Sequence, residues 1–184
     1  MRDAGDTNMN NRNITLIGMA GVGKSAVGKK LASKLHYKFI DIDPIIEKHM
    51  EMKLQHIIDK FGDAEFIRIE ENSILNLKRG NGNQNGLDKL ILSPGGSIVY
   101  SPRAMGFLRK NSTVVFLDGS MESILERVHN LPTRGIVGLK NKTFEELFDE
   151  RLVLYRRYAN FTVELQPDFE SSKVAEWIIK KLKI

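Results

Sequence analysis

Residues 18–25 read Gly-Met-Ala-Gly-Val-Gly-Lys-Ser, and no other stretch of the chain restricts the fold as much. The pattern Gly-x-x-x-x-Gly-Lys-Ser follows the apolar run Ile14-Thr15-Leu16-Ile17. It opens a helical repeat over residues 26–35, in which Val27, Leu31 and Leu35 recur on one side. A strand, a glycine turn and a helix start in that order make a phosphate site, because glycines let backbone N–H groups turn inward above the positive end of the helix. Gly21, Val22, Gly23 and Ala26 are expected to wrap the phosphates. Lys24 would place its ammonium on the β- and γ-phosphates, and Ser25 its hydroxyl on Mg²⁺. The stretch predicts a nucleoside triphosphate site with magnesium and leaves open what receives the phosphoryl group.

Downstream, Phe39-Ile40-Asp41-Ile42-Asp43-Pro44 reads as an extended segment, with Asp41 and Asp43 on one face and Ile40 and Ile42 on the other. Asp43 is the expected cap of the helix that starts at Pro44. A short helix over 54–61 stops at Gly62, and a longer one capped by Asp63 carries Phe66, Ile67, Glu70 and Ile74. Arg68 lies three residues from Glu65 and from Glu71, the spacing of exposed helical ion pairs. A strand over 89–92 runs into Ser93-Pro94-Gly95-Gly96-Ser97, where paired glycines suit a ligand approaching the backbone or a tight turn into a helix.

Strands over 113–117 and 161–165 then alternate with helices over 102–108, 121–128, 143–158 and 171–184, the last expected to turn Val174, Trp177, Ile178 and Leu182 to the core. Between two helices, residues 129–142 hold Arg134, Gly135, Gly138 and Lys140, the composition of a mobile lid carrying positive charge or of a plain surface loop. This alternation predicts a three-layer α/β/α architecture around a central parallel five-stranded sheet. The phosphate loop, the paired aspartates and the double glycine would all lie at strand C-terminal ends.

Composition narrows the partners. The formal net charge is +5, but the basic residues are interspersed with acidic ones, so a small anionic substrate accounts for the excess and nucleic acid is not expected. The chain has no cysteine, which rules out disulfides and thiolate metal sites. No apolar run approaches the roughly 18 residues of a membrane span. Residues 1–12 read as a flexible polar tail without a signal-peptide core, 80–86 as a flexible loop, and 13–184 as one cytoplasmic, monomeric domain.

In order, the chain carries Gly-Met-x-Gly-x-Gly-Lys-Ser, Phe-Ile-Asp-Ile-Asp, Gly-Asp-Ala-Glu-Phe-x-x-Ile-Glu, Ser-Pro-Gly-Gly, a lid arginine and Arg-x-x-Leu-Tyr-x-x-x-Ala. In this it resembles shikimate kinase from about Asn13 to the last helix. The resemblance implies ATP-dependent phosphorylation of a small-molecule hydroxyl, shikimate to shikimate 3-phosphate, within aromatic amino acid biosynthesis. It implies that Asp41 orders Mg²⁺ through water and that Asp43 contacts the acceptor hydroxyl and takes its proton. It further implies that Arg134 closes on the phosphates, Arg127 and Pro167 lie beside adenine, Arg151 grips the acceptor carboxylate, and Gly95 and Gly96 form the acceptor loop.

Three positions depart from the family pattern. Ile67 stands where a second arginine clamps the carboxylate, with Arg68 one residue later and about 100° around the helix; Glu70 loses that arginine as its partner. Ser97 replaces the third glycine of the acceptor loop. The lid reads Thr133-Arg134-Gly135-Ile136 where Arg-Pro-Leu is usual, which suggests a looser hinge at Gly135. The acceptor is therefore open between shikimate, held by Arg151 alone or with Arg68 reaching in through a shifted helix, and another hydroxylated metabolite. Outside enzymes, the same features would suit a nucleotide-binding module that catalyses nothing.

Overall fold

The computed structural model describes residues 13–78, 88–128 and 134–184. The expected tail, the whole glycine- and asparagine-rich loop over 80–86 and the first part of the lid, residues 129–133, lie outside the described residues. The element order is β1 (Ile14–Ile17), α1 (Lys24–Leu35), β2 (Lys38–Asp41), α2 (Ile42–Met50), α3 (Leu54–Phe61) and α4 (Asp63–Leu75), then β3 (Leu90–Ser93), a 3₁₀ turn (Gly96–Tyr100) and α5 (Pro102–Asn111). After these come β4 (Thr113–Gly119), α6 (Met121–Arg127), α7 (Phe144–Tyr158), β5 (Phe161–Leu165) and α8 (Ser171–Leu182).

The five strands form one all-parallel sheet in the order β2-β3-β1-β4-β5. As the middle strand of a sheet covered on both faces, β1 is buried along its whole length. The buried polar residues in it and just before it are satisfied by neighbouring elements. Asn13 accepts from the Leu90 N–H and donates to the Asn111 carbonyl, each at 2.9 Å, and the Thr15 and Ser112 hydroxyls meet at 2.6 Å. The chain leaves β1 toward β2 on one side and leaves β3 toward β4 on the other. A crevice therefore opens at the C-terminal ends of β1 and β3, where neighbouring connections diverge.

Three local expectations are corrected. Strand β2 ends at Asp41 rather than Asp43, because Asp41 itself is the N-cap of α2: its Oδ1 accepts from the Asp43 N–H at 3.4 Å. Asp43 consequently sits in the first helical turn, not on a strand face. Helix α4 is capped by Gly62, with Asp63 already inside its first turn. In α8, Ala175 and Ile178 face the core, whereas Trp177 is 45% exposed and lies at the edge, with its ring centre 6.1 Å from that of Phe161.

Candidate active site

At the end of β1 the chain turns through Gly21 (φ +88°) and Gly23 (φ +105°), conformations that L side chains rarely adopt. A Cβ on Gly21 would also lie 2.2 Å from a methyl of Val128. Helix α1 starts directly after this turn at Lys24, two residues earlier than its apolar repeat indicates. The Val22 side chain is fully buried and anchors the loop. The Lys24 ammonium folds over the loop and donates to the carbonyls of Gly18 (2.9 Å) and Met19 (3.0 Å). Burial pulls its pKa down to about 8, against the carboxylates of Asp43 and Asp41 and with the Arg134 charge adding to the depression.

The Ser25 hydroxyl donates to Asp41 Oδ2 at 2.6 Å. A hydroxyl and a carboxylate held together beside a phosphate loop fit Mg²⁺, which takes one or two protein oxygens and completes its shell with phosphate and water. Among the described residues there is no cluster of three or more His, Cys, Asp or Glu side chains able to hold a metal by itself. Asp43 is half-buried two residues further on, in the first turn of α2. Desolvation pushes its carboxyl up to about 6, with Lys24 opposing and Asp41 reinforcing the rise.

One cavity of about 300 Å³ joins these groups to the far wall. It is lined by Gly21, Gly23, Lys24, Ser25, Ala26, Asp41 and Asp43 on one side and by Gly95, Gly96, Ser97, Arg134 and Arg151 on the other. Arg151 is 1% exposed; its Nη2 donates to the Val137 carbonyl at 2.6 Å and its Nε to the Tyr100 hydroxyl at 3.2 Å. Its Nη1 lies against Gly96, whose carbonyl accepts from the Tyr155 hydroxyl at 2.7 Å. Glu70 is buried behind the glycine turn, where its Oε2 accepts from Ser97 Oγ at 2.6 Å. Desolvation pushes its pKa up to about 7, the Ser97 hydrogen bond opposing.

The remaining expected residues fall outside the cavity wall. Arg127 and Pro167 come together, the guanidinium donating to the Pro167 carbonyl, and Arg127 stacks 4.6 Å from the ring centre of Phe169. That ring also covers Gly23, whose added Cβ would lie 2.8 Å from Phe169 Cζ, so this group borders the phosphate loop. Arg68 points away: its side chain is 76% exposed and pairs with Glu65 at 3.4 Å. No shift of α4 brings it in, and Ile67 beside it packs against the core.

Gly135, expected as a looser hinge, is tied to α3 in this structure. Its N–H donates to Gln55 Oε1 at 3.1 Å, and the adjoining Ile136 and Val137 are buried, with Lys140 paired to Asp59 at 2.8 Å. Sequence reasoning missed Leu54, Phe66, Ile136 and Val137 as wall residues. The adjacent Ile136 and Val137 in an otherwise polar segment were the readable signal for two of them.

The family model described as shikimate kinase matches residues 20–183. The chain is 36% identical to a shikimate kinase of Sulfurihydrogenibium sp. over 172 residues, covering 94% of this chain and 98% of that protein. It is 32% identical to one from Caldanaerobacter subterraneus, covering 92% and 95%. Among solved structures, shikimate kinase from Acinetobacter baumannii in complex with shikimate superposes with a TM-score of 0.82 at 27% identity, over 93% of this chain and 92% of that one.

Proposed function

This chain belongs to the shikimate kinase family, and from that premise we propose how its own residues transfer the terminal phosphoryl group of ATP to a hydroxyl of shikimate. One observation carries the assignment of roles: Lys24, Asp43, Arg134 and Arg151 border a single cavity at the C-terminal ends of neighbouring parallel strands. Phosphoryl transfer asks mainly for positioning and neutralisation of charge. The phosphate-loop N–H groups and Lys24 hold the β- and γ-phosphates, and Arg134 approaches from the lid side. When bound, Mg²⁺ at Ser25 and Asp41 supplies further neutralisation of the phosphate oxygens.

At the other end, Asp43 orients the acceptor hydroxyl and takes its proton as the phosphoryl group departs. Its raised pKa, about 6, makes it a better base than an exposed aspartate while leaving it ionised at neutral pH. Arg151 holds the carboxylate of shikimate through Nη1, its other nitrogens being engaged by Tyr100 and Val137. With Ile67 contributing no charge, that grip rests on Arg151 and whatever Arg134 adds. Arg127, Pro167 and Phe169 flank the adenine. The proposed unit is a monomer, one domain over residues 13–184. A cavity of about 300 Å³ suits a small acceptor rather than nucleic acid. No helix among the described residues is long and apolar enough to cross a membrane, and use of ATP by a cysteine-free chain suits the cytoplasm.

The test is shikimate-dependent ADP release with ATP and Mg²⁺, run beside a panel of other hydroxylated metabolites. Turnover that is highest with shikimate is expected. Turnover with a panel member and none with shikimate would move the assignment to that acceptor.

A further inference from the structure

Glu70 is the only buried acidic side chain among the described residues, and the transfer chemistry gives it no task. Its two oxygens are placed differently. Oε2 accepts from Ser97 Oγ at 2.6 Å, while Oε1 lies so close to Gly95 that an added Cβ would stand 2.4 Å from it and 3.1 Å from Asp43 Oδ1. Two carboxylates from different helices thus converge on the bare face of one glycine. Ser97 borders the cavity beside Gly95, Gly96 and Arg151, whereas Glu70 stands behind the wall.

A serine hydroxyl carries one proton and two acceptor lone pairs. With its proton given to the Glu70 carboxylate, Ser97 can present only lone pairs to whatever occupies the cavity. Such an oxygen welcomes a hydroxyl and repels a carboxylate. Arg151 offers the opposite polarity from the same wall. The pair therefore has a direction: the anionic end of an acceptor is drawn to Arg151, and a hydrogen-bond donor on its ring is drawn to Ser97.

We propose that Ser97 is a specificity-determining residue of the acceptor site, taking a hydrogen bond from one ring hydroxyl of the acceptor. Glu70 acts through it as a positioning residue that holds the serine in its accepting orientation. This rests on the reading of the cavity as a shikimate kinase acceptor site and adds a contact that selects for polyol character at a defined ring position. A merely structural Ser97–Glu70 pair would stiffen the glycine turn and select for nothing.

The experiment uses the full chain and measures steady-state constants for shikimate and ATP, together with calorimetric binding of shikimate and of analogues each lacking one ring hydroxyl. Ser97→Ala is expected to raise the KM for shikimate by about 3- to 10-fold, the effect of one neutral hydrogen bond, with the ATP KM within about twofold of wild type. For one analogue, the one lacking the recognised hydroxyl, wild type and Ser97→Ala should bind equally well; for the others the variant should bind more weakly.

Glu70→Gln keeps the shape and can offer an amide N–H to Ser97, turning the serine proton toward the cavity. It should give the same analogue pattern with a smaller rise in shikimate KM, since the ring hydroxyl can also accept from the reversed serine, and it carries the test if Ser97→Ala does not fold. An equal penalty for every analogue, or none for any, in an enzyme that phosphorylates shikimate overturns this inference alone. A wild-type enzyme that binds and phosphorylates no shikimate overturns the underlying reading, and this one with it.

Discussion

At the phosphate end of the cavity, residues 18–25 supply the turn, the ammonium and the hydroxyl in one unbroken run. At the acceptor end, Glu70 arrives from α4, Ser97 from the 3₁₀ turn, Arg151 from α7 and Val137 from the segment ahead of α7. The first end is made of backbone held in left-handed conformations, so nearly any added side chain damages it. The second is made of side chains meeting across elements, so a change of shape-matched chemistry leaves it standing and alters what it selects.

The largest expected effect falls where the two ends meet. Asp43→Asn should lower kcat by about 10²- to 10⁴-fold, because a residue near in size still fills the site but cannot take the hydroxyl proton. ATP affinity, measured separately by calorimetry, should change little, since the phosphate loop is untouched. Retained turnover would detach Asp43 from the chemistry and leave it as a first-turn helix residue.

Next comes the backbone end. Gly23→Ala puts a Cβ on a residue at φ +105° and 2.8 Å from the Phe169 ring, so both the turn and the stacked Arg127–Phe169 pair must shift. Strain of about 1–3 kcal/mol translates into roughly 5- to 150-fold weaker ATP binding, with shikimate affinity largely kept. Equal losses at both ends would break the division drawn here, since they would mean that the cavity responds as one body.

These differences also decide what could be read from sequence. The phosphate loop was legible because its chemistry is local: glycines, a lysine and a serine at fixed spacing carry their own geometry. The sheet was legible from the alternation of strand and helix patterns. Asp43 was placed on a strand because Phe39 to Asp43 alternates well, but capping by Asp41 ended the strand two residues sooner, a competition that periodicity does not register. Leu54 and Phe66 join the wall only through the packing of α3 and α4. Nothing in their own neighbourhood announces them.

A smaller effect, with a sign set by pH, is expected at the acceptor end. Burial raises the Glu70 pKa from 4.5 to about 7, so between those values the folded chain binds more protons at this site than the unfolded chain does. Stability from this group therefore falls as pH rises through that window, and above pH 7 the buried charge costs the fold at most roughly 3 kcal/mol. Glu70→Gln should raise the melting temperature by several degrees at pH 8, and the gain should fade toward pH 5. A variant less stable than wild type at pH 8 would show that the Ser97 bond outweighs desolvation. The acceptor end would then be a stabilising element of the fold and not a cost the fold carries.

The smallest expected effect is at Arg68, and it probes the comparison most sharply. The side chain is 76% exposed and its partner Glu65 47% exposed, a surface pair of the kind that contributes about 0–1 kcal/mol. It borders no part of the cavity, and Ile67, one position earlier, packs against the core. Arg68→Ala should leave the shikimate KM within about twofold, against a rise of 10-fold or more for Arg151→Met, which removes the Nη1 contact and the cation together. If Arg68→Ala instead raises the shikimate KM as steeply, α4 must turn by about 100° locally when the acceptor binds, enough to exchange Ile67 for Arg68 at the wall. The acceptor end would then be assembled by its ligand, while the phosphate end stands preformed by its glycines. The same substitution measured for ATP KM, expected to be unchanged either way, separates that outcome from a general loosening of the fold.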